Sequence, residues 1–105
     1  MTPTEINAAV AERLGWKLDR SNGVWNLPDD GWLREEDIPD FHGSADAALL
    51  CVPAAEKDGW EGTATIKGGV WCVMFRRDMA TISADAVTFH AAICESFLKL
   101  PIEPK

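Results

Sequence analysis

His90 and Cys94 stand four residues apart at helical spacing, so both could reach one metal ion, with Cys51 and Cys72 completing a tetrahedral set. Such sites ordinarily take paired ligands from a single turn. These four come from three separate elements with no CxxC pair, and cysteine is among the most buried residue types even without a metal. The expectation is core packing, with no metal and no cofactor. As nucleophile and base the same pair fares no better, because successive turns of one helix point both side chains together rather than at a shared substrate. No catalytic residue is assigned.

A second constellation is acidic: Asp29, Asp30, Glu35, Glu36, Asp37 and Asp40 could supply hard oxygen ligands or a general acid and base. Their order fits no calcium loop. Asp29 and Asp30 are explained by a turn, and Glu35, Glu36 and Asp37 by a solvated surface or by docking to a basic protein partner. Lys67-Gly68-Gly69 and Arg76-Arg77 lie at opposite ends of one hairpin strand, where a phosphate-bearing small ligand could combine either with a stacked Trp ring. No P-loop and no GxGxxG accompany them, and the competing account is a turn glycine pair with snorkelling arginines.

The third feature is aromatic. Trp16, Trp25, Trp32 and Phe41 fall in a stretch full of turn residues. Each Trp buries roughly 150 to 250 Å² when covered, so the segment either folds over the core or offers a binding surface. Trp16 follows the helix-ending Gly15 and is expected to pack back beside Val10 and Leu14. Trp25 and Trp32 flank a turn and adjoin the acids, so with Arg34, Glu35, Glu36 and Asp37 they form a candidate binding surface, Arg76 and Arg77 being the other candidates. Closure of both rings onto the core is the alternative.

These groups must be held by recognisable elements. Thr2, Pro3 and Glu5 write a capping box for a helix over 3–14. The segments 17–20 and 24–27 can pair as a short ribbon around Ser21-Asn22-Gly23, and Pro28-Asp29-Asp30-Gly31 is a β-turn. A helix capped by Ser44 covers 45–57, with Pro53 expected to kink or divide it. Strands over 60–67 and 70–76 joined by Gly68-Gly69 read as a hairpin with a primed turn. In the first, Trp60, Gly62, Ala64 and Ile66 alternate with polar residues, as in an edge strand with one dry face. In the second, Val70, Cys72 and Met74 oppose Trp71, Val73 and Phe75, so both faces call for cover. A last helix, starting near Ser83 or Asp85 and reaching about 100, is stopped by Pro101. The repeated Ser-Ala-Asp-Ala at 44–47 and 83–86 reads as two helix starts, and the tail 102–105 as loose. Together these describe a single α+β domain: a small α/β/α sandwich with a central antiparallel sheet containing the hairpin, and helices near 3–14, 45–57 and 85–100.

Composition narrows the class. The 105 residues are 47% hydrophobic, enough for one cored domain. No run approaches the roughly 18 to 20 apolar residues of a membrane span, and the start lacks the basic and apolar regions of a secretory signal. With an odd number of unpaired cysteines, a cytoplasmic location is expected. The net charge is −7, and residues 29–40, with six acids against Arg34 alone, carry −5 of it. That balance, with a single Arg-Arg pair, argues against nucleic acid as a partner.

Several pieces in order resemble the small phage proteins of the phage α/β/α sandwich family: Glu5-Ile6-Asn7, Val10-Ala11, Leu14-Gly15-Trp16-Lys17, Trp25 with Pro28 and Gly31, Ile38-Pro39-Asp40-Phe41, Asp46-Ala47, Trp71 with Phe75, and Ala92-Ile93-Cys94. Pro53 and Glu35-Glu36-Asp37 depart from that pattern. The resemblance implies a sheet between helices and a phage or prophage origin, and it brings no catalytic residues or ligand. The expected function is therefore binding without catalysis, directed at a host, defence or phage protein. The alternatives are an oligomer that sequesters a small nucleotide signal and, last, a small hydrolase using the acidic loop.

Overall fold

Thr2 starts the chain's first helix as the sequence expects. In the computed structural model, which describes residues 2–101, its hydroxyl accepts from Glu5 N at 3.2 Å while Glu5 Oε1 accepts from Thr2 N at 3.1 Å. That reciprocal pair fixes α1, Pro3–Arg13, and holds the exposed Glu5 carboxyl below its ordinary pKa. At the other end Gly15 takes φ 92°, and Gly15 N and Trp16 N bond back to Glu12 O and Ala11 O, the two bonds of a Schellman cap. The same cap recurs at 59–60, where Gly59 N and Trp60 N bond to Glu56 O and Ala55 O. Each cap bonds the backbone N–H of a Trp back to the helix it closes.

A small antiparallel sheet follows: β1 (Lys17–Asp19), β2 (Val24–Asn26) and β3 (Trp32–Arg34), in that order. The Asp19 carboxylate organises the first turn by accepting from Ser21 N, Asn22 N and Asn22 Nδ2. Gly23 and Asp30, at φ 65° and 68°, make the two reversals. The ribbon of β1 and β2 matches expectation, whereas β3 lies in what reads as loop. A one-turn 3₁₀ helix, Glu35–Asp37, leaves the sheet.

The second helix is divided into α2 (Ala45–Ala48) and α3 (Cys51–Lys57). Ser44 caps the first by accepting from Ala47 N at 3.4 Å. The division falls at Leu49 and Leu50, one turn before Pro53. A proline has no N–H to give the carbonyl four residues back and its ring collides with that carbonyl, which here belongs to Leu49.

The hairpin forms β4 (Glu61–Lys67) and β5 (Val70–Arg77), with Lys67 opposite Val70 and Gly68 and Gly69 at φ 60° and 79°. The segment expected to begin the last helix is instead a third strand, β6 (Ala80–Ala86), giving the order β4-β5-β6. Its Ile82, Ala84 and Ala86 alternate with Thr81, Ser83 and Asp85, a period of two. The second Ser-Ala-Asp-Ala is thus strand and only the first starts a helix. Thr88 is the true cap, accepting from Ala91 N at 3.3 Å, and α4 runs Phe89–Lys99.

One connected cluster of buried side chains joins α1, β2, Phe41, α2, α3, Trp60, β5 and α4. The α+β class with its hairpin-containing antiparallel sheet and flanking helices holds, but two expected covers are missing. Val73 and Phe75 are buried, while on the opposite face Val70 is exposed, Met74 is 36% exposed and Cys72 is half-buried. The helices protect one face of β5, not both. At the edge, β4 is exposed throughout, including Gly62, Ala64 and Ile66 on its expected dry face. The expected loose tail, 102–105, lies outside the described residues.

Candidate binding surface

Strand alternation decides the fate of the two candidate tryptophans. Leu18, Trp25 and Leu33 form one row across the small sheet. That row faces the core, where Trp25 is only 2% exposed. Trp25 is therefore a core residue and not part of a binding surface. The neighbouring row, Lys17, Asn26 and Trp32, turns outward, and Trp32 is 63% exposed. Asp19, Val24 and Arg34 form a second row on that outer side. Trp16 is half-buried against the core cluster, as a core position is expected to be, and its ring partner is Phe41, met edge-on at 5.7 Å between ring centroids.

Trp32 thus stands on an exposed sheet face with Lys17, Asn26 and Arg34 around it. Glu35, Glu36 and Asp37 follow directly in the exposed 3₁₀ turn. The remaining acids do structural work. Asp29 Oδ1 accepts from Gly31 N at 3.3 Å, and Asp40 Oδ1 accepts from Gly43 N and Asn7 Nδ2, both at 3.0 Å. Asn7, buried on α1, completes this clamp by accepting from His42 N at 2.9 Å. It is satisfied on both ends of its amide, which assigns it to holding the loop 40–43 rather than to a ligand.

Arg76 and Arg77, adjacent in sequence, point to opposite faces of the large sheet. Arg76 lies exposed opposite Glu61 and Thr81. Arg77 is engaged: its guanidinium lies 4.6 Å from the Trp60 ring centre and 2.9 Å from Asp58 Oδ2, which also accepts from Trp60 Nε1 at 3.2 Å. That arrangement locks the end of the sheet to the α3 cap and leaves Arg77 poorly placed for a ligand. Neither arginine shares a sheet with Trp32.

The thiols divide similarly. Cys51 and Cys94 are buried together, and their mutual hydrogen bond, then burial, drives the Cys51 pKa far above the ordinary thiol value. Cys72 faces the open side of β5, opposite Asp85, which raises its pKa by hydrogen bonding, with burial adding to the effect. Among the described residues no three His, Cys, Asp or Glu side chains converge on a possible metal position. An open groove of about 470 Å³ between α1, β6 and α4 is lined by Ile6, Ala84, Asp85, Glu95, Leu98 and Lys99. Its only cation, Lys99, already donates to Ser83 O at 3.0 Å.

Sequence reasoning missed Lys17 and Asn26 as neighbours of Trp32. The pairing of β1 with β2 was legible and places Lys17 beside Asn26, but only β3 brings Trp32 into their row. No helix among the described residues is long and apolar enough to cross a membrane.

No family model matches the chain, and no curated protein matches it. Among solved structures it is similar to a phage protein from Bacillus cereus ATCC 14579, known from a 2.0 Å crystal structure. The TM-score is 0.71 at 20% identity, over 93% of this chain and 90% of that one. At that identity the likeness establishes a shared fold.

Proposed function

We propose that this chain is a small phage- or prophage-encoded protein that acts in the host cytoplasm by binding rather than catalysis, engaging a host or defence component through the outer face of the small sheet. The observation that carries the reading is Trp32, 63% exposed on β3, a strand whose inward Leu33 pairs with buried Trp25 of β2. A large rigid ring left in water on an anchored sheet is the usual form of an interface anchor, and the charged residues around it, Lys17, Arg34 and the Glu35–Asp37 turn, form the polar rim such anchors have. The shared fold with a phage protein supports the origin.

A second reading, capture of a small nucleotide signal, draws on the same face. Lys17 and Arg34 lie on the same side of the sheet as Trp32, a combination suited to stacking a base while pairing with phosphate. The hydrolase reading is the weakest, since Asp29 and Asp40 are committed to turns. Absorbance at 260 nm and mass spectrometry of the purified protein, together with affinity capture from host lysate, separate the two leading readings. A protein partner lost in Trp32→Ala supports the first, and a released nucleotide lost in the same variant supports the second. Capture of both kinds unchanged by Trp32→Ala rejects this face.

A further inference from the structure

The large sheet ends in two edges, and they are treated differently. At β6, Lys99 reaches over from α4 to occupy the Ser83 carbonyl, blunting the row of backbone groups that would otherwise accept another strand. At β4 all seven residues are exposed, and the strand sequence Glu-Gly-Thr-Ala-Thr-Ile-Lys holds the β-branched Thr63, Thr65 and Ile66 and contains no proline that would block an added strand.

The hairpin geometry says which backbone groups are available there. A two-residue loop makes its flanking pair, Lys67 and Val70, a hydrogen-bonded pair, so bonding to β5 recurs at Thr65, Thr63 and Glu61. Gly62, Ala64 and Ile66 consequently direct their N–H and C=O groups outward. A second β4 laid antiparallel about a two-fold at Ala64 meets those groups in register: Ala64 opposite Ala64, and Gly62 opposite Ile66. In that register Glu61 also falls opposite Lys67 at both ends, with Thr63 opposite Thr65 between them. Shifting the two-fold to any other outward residue loses both ion pairs. Side-chain space agrees. A Cβ at Gly62 would stand 3.1 Å from the buried Phe75 ring, so the position suits glycine, and the absence of a side chain there leaves space for the facing Ile66, 56% exposed in the monomer.

We propose that β4 is a dimerisation edge: two copies of this chain pair β4 against β4, antiparallel about Ala64, with Glu61 of each copy opposite Lys67 of the other, forming one continuous sheet. The occupant is a second copy because the strand is complementary to itself in charge and in outward backbone groups at one register. The partner-binding faces of the two small sheets remain free, so the proposal stands independently of the function proposed above.

Sedimentation velocity over a concentration series, with a thermal melt of each variant, tests it. The wild type should dimerise. Glu61→Lys and Lys67→Glu each replace two attractive pairs by repulsive ones and should each weaken self-association about tenfold or more, while each variant still melts cooperatively as a folded monomer, Glu61→Lys slightly lower because residue 61 also faces Arg76 within its own sheet. Mixed together, the two variants should form heterodimers. The introduced lysine of one then meets the introduced glutamate of the other at one end of the joint ladder, and at the opposite end the retained Lys67 meets the retained Glu61. Ala64→Pro removes an outward N–H that the monomer does not use and should also give a monomer. A wild type that stays monomeric at every concentration overturns the proposal and leaves the edge to a strand of an unlike chain. A dimer that the charge variants leave intact, or single variants that fail to associate when mixed, overturns it equally.

Discussion

The small sheet and the large sheet each have three antiparallel strands and one face against the core, yet they present different chemistry to solvent. The small sheet has strands of three residues, too short to offer a backbone ladder, and it exposes a side chain, Trp32, ringed by charge. The large sheet has strands of seven or eight residues; its most exposed strand, β4, carries mostly small residues and exposes backbone. Side chains distinguish partners by shape and charge, whereas a bare edge recognises any compatible strand. On the two proposals above, selective recognition of an unlike partner belongs to the small sheet and self-recognition to the large one.

The sharpest way to break this contrast is to reverse the faces of β5. Val73→Asp puts a carboxylate where the native side chain is 3% exposed and should unfold the protein or cost more than about 4 kcal/mol. Met74→Asp, one residue on and facing out, should cost under about 1 kcal/mol. Denaturant titration of both variants measures the difference, and equal losses would mean that the outer face is covered. Next in size, Trp25→Ala should cost about 3–5 kcal/mol by leaving a cavity in the core, whereas Trp32→Ala should change stability by less than about 1 kcal/mol in the same assay. Asn7→Ala removes the clamp on the loop 40–43 and leaves His42 N and Asp40 short of a partner, for an expected loss of about 1–3 kcal/mol. If its melt is unchanged, the loop is held by Phe41 alone. The smallest effect concerns reactivity. Cys72 should be the thiol that a disulfide reagent reaches in the native protein, and because Asp85 favours its protonated form the reaction should be slow near neutral pH and accelerate only at pH above the ordinary thiol range. Asp85→Asn should move that acceleration to lower pH; an unchanged pH profile would show that Asp85 does not set it.

The parts of this architecture that local chemistry writes down were legible in the sequence. Thr2, Glu5 and Gly15 specify both ends of α1, Gly68-Gly69 closes the hairpin, and Pro53 announces a divided helix. What escaped depends on distant contacts. β3 is three residues long and is a strand only because β2 lies beside it. β6 begins after an Asp78-Met79 turn, with Asp78 at φ 53° and no glycine to signal the reversal, and its Ser83 and Asp85 imitate helix caps. Val70, Cys72 and Met74 look like a second buried face because apolar alternation does not reveal whether a covering layer exists. The candidate surface was half legible for the same reason. Trp32, Arg34 and the acids were identifiable, but which of Trp25 and Trp32 turns inward follows from strand pairing, and the distance between them in sequence carries no such information.

Trp32 carries the central claim, so affinity capture from host lysate by wild type and Trp32→Ala, with a melt of each, tests it most directly. The expected result is that the variant melts with the wild type and loses the captured partner at least about tenfold, equivalent to about 1.4 kcal/mol of binding. Undiminished capture by a folded Trp32→Ala, or a melting temperature lowered as far as that of Trp25→Ala, would contradict it.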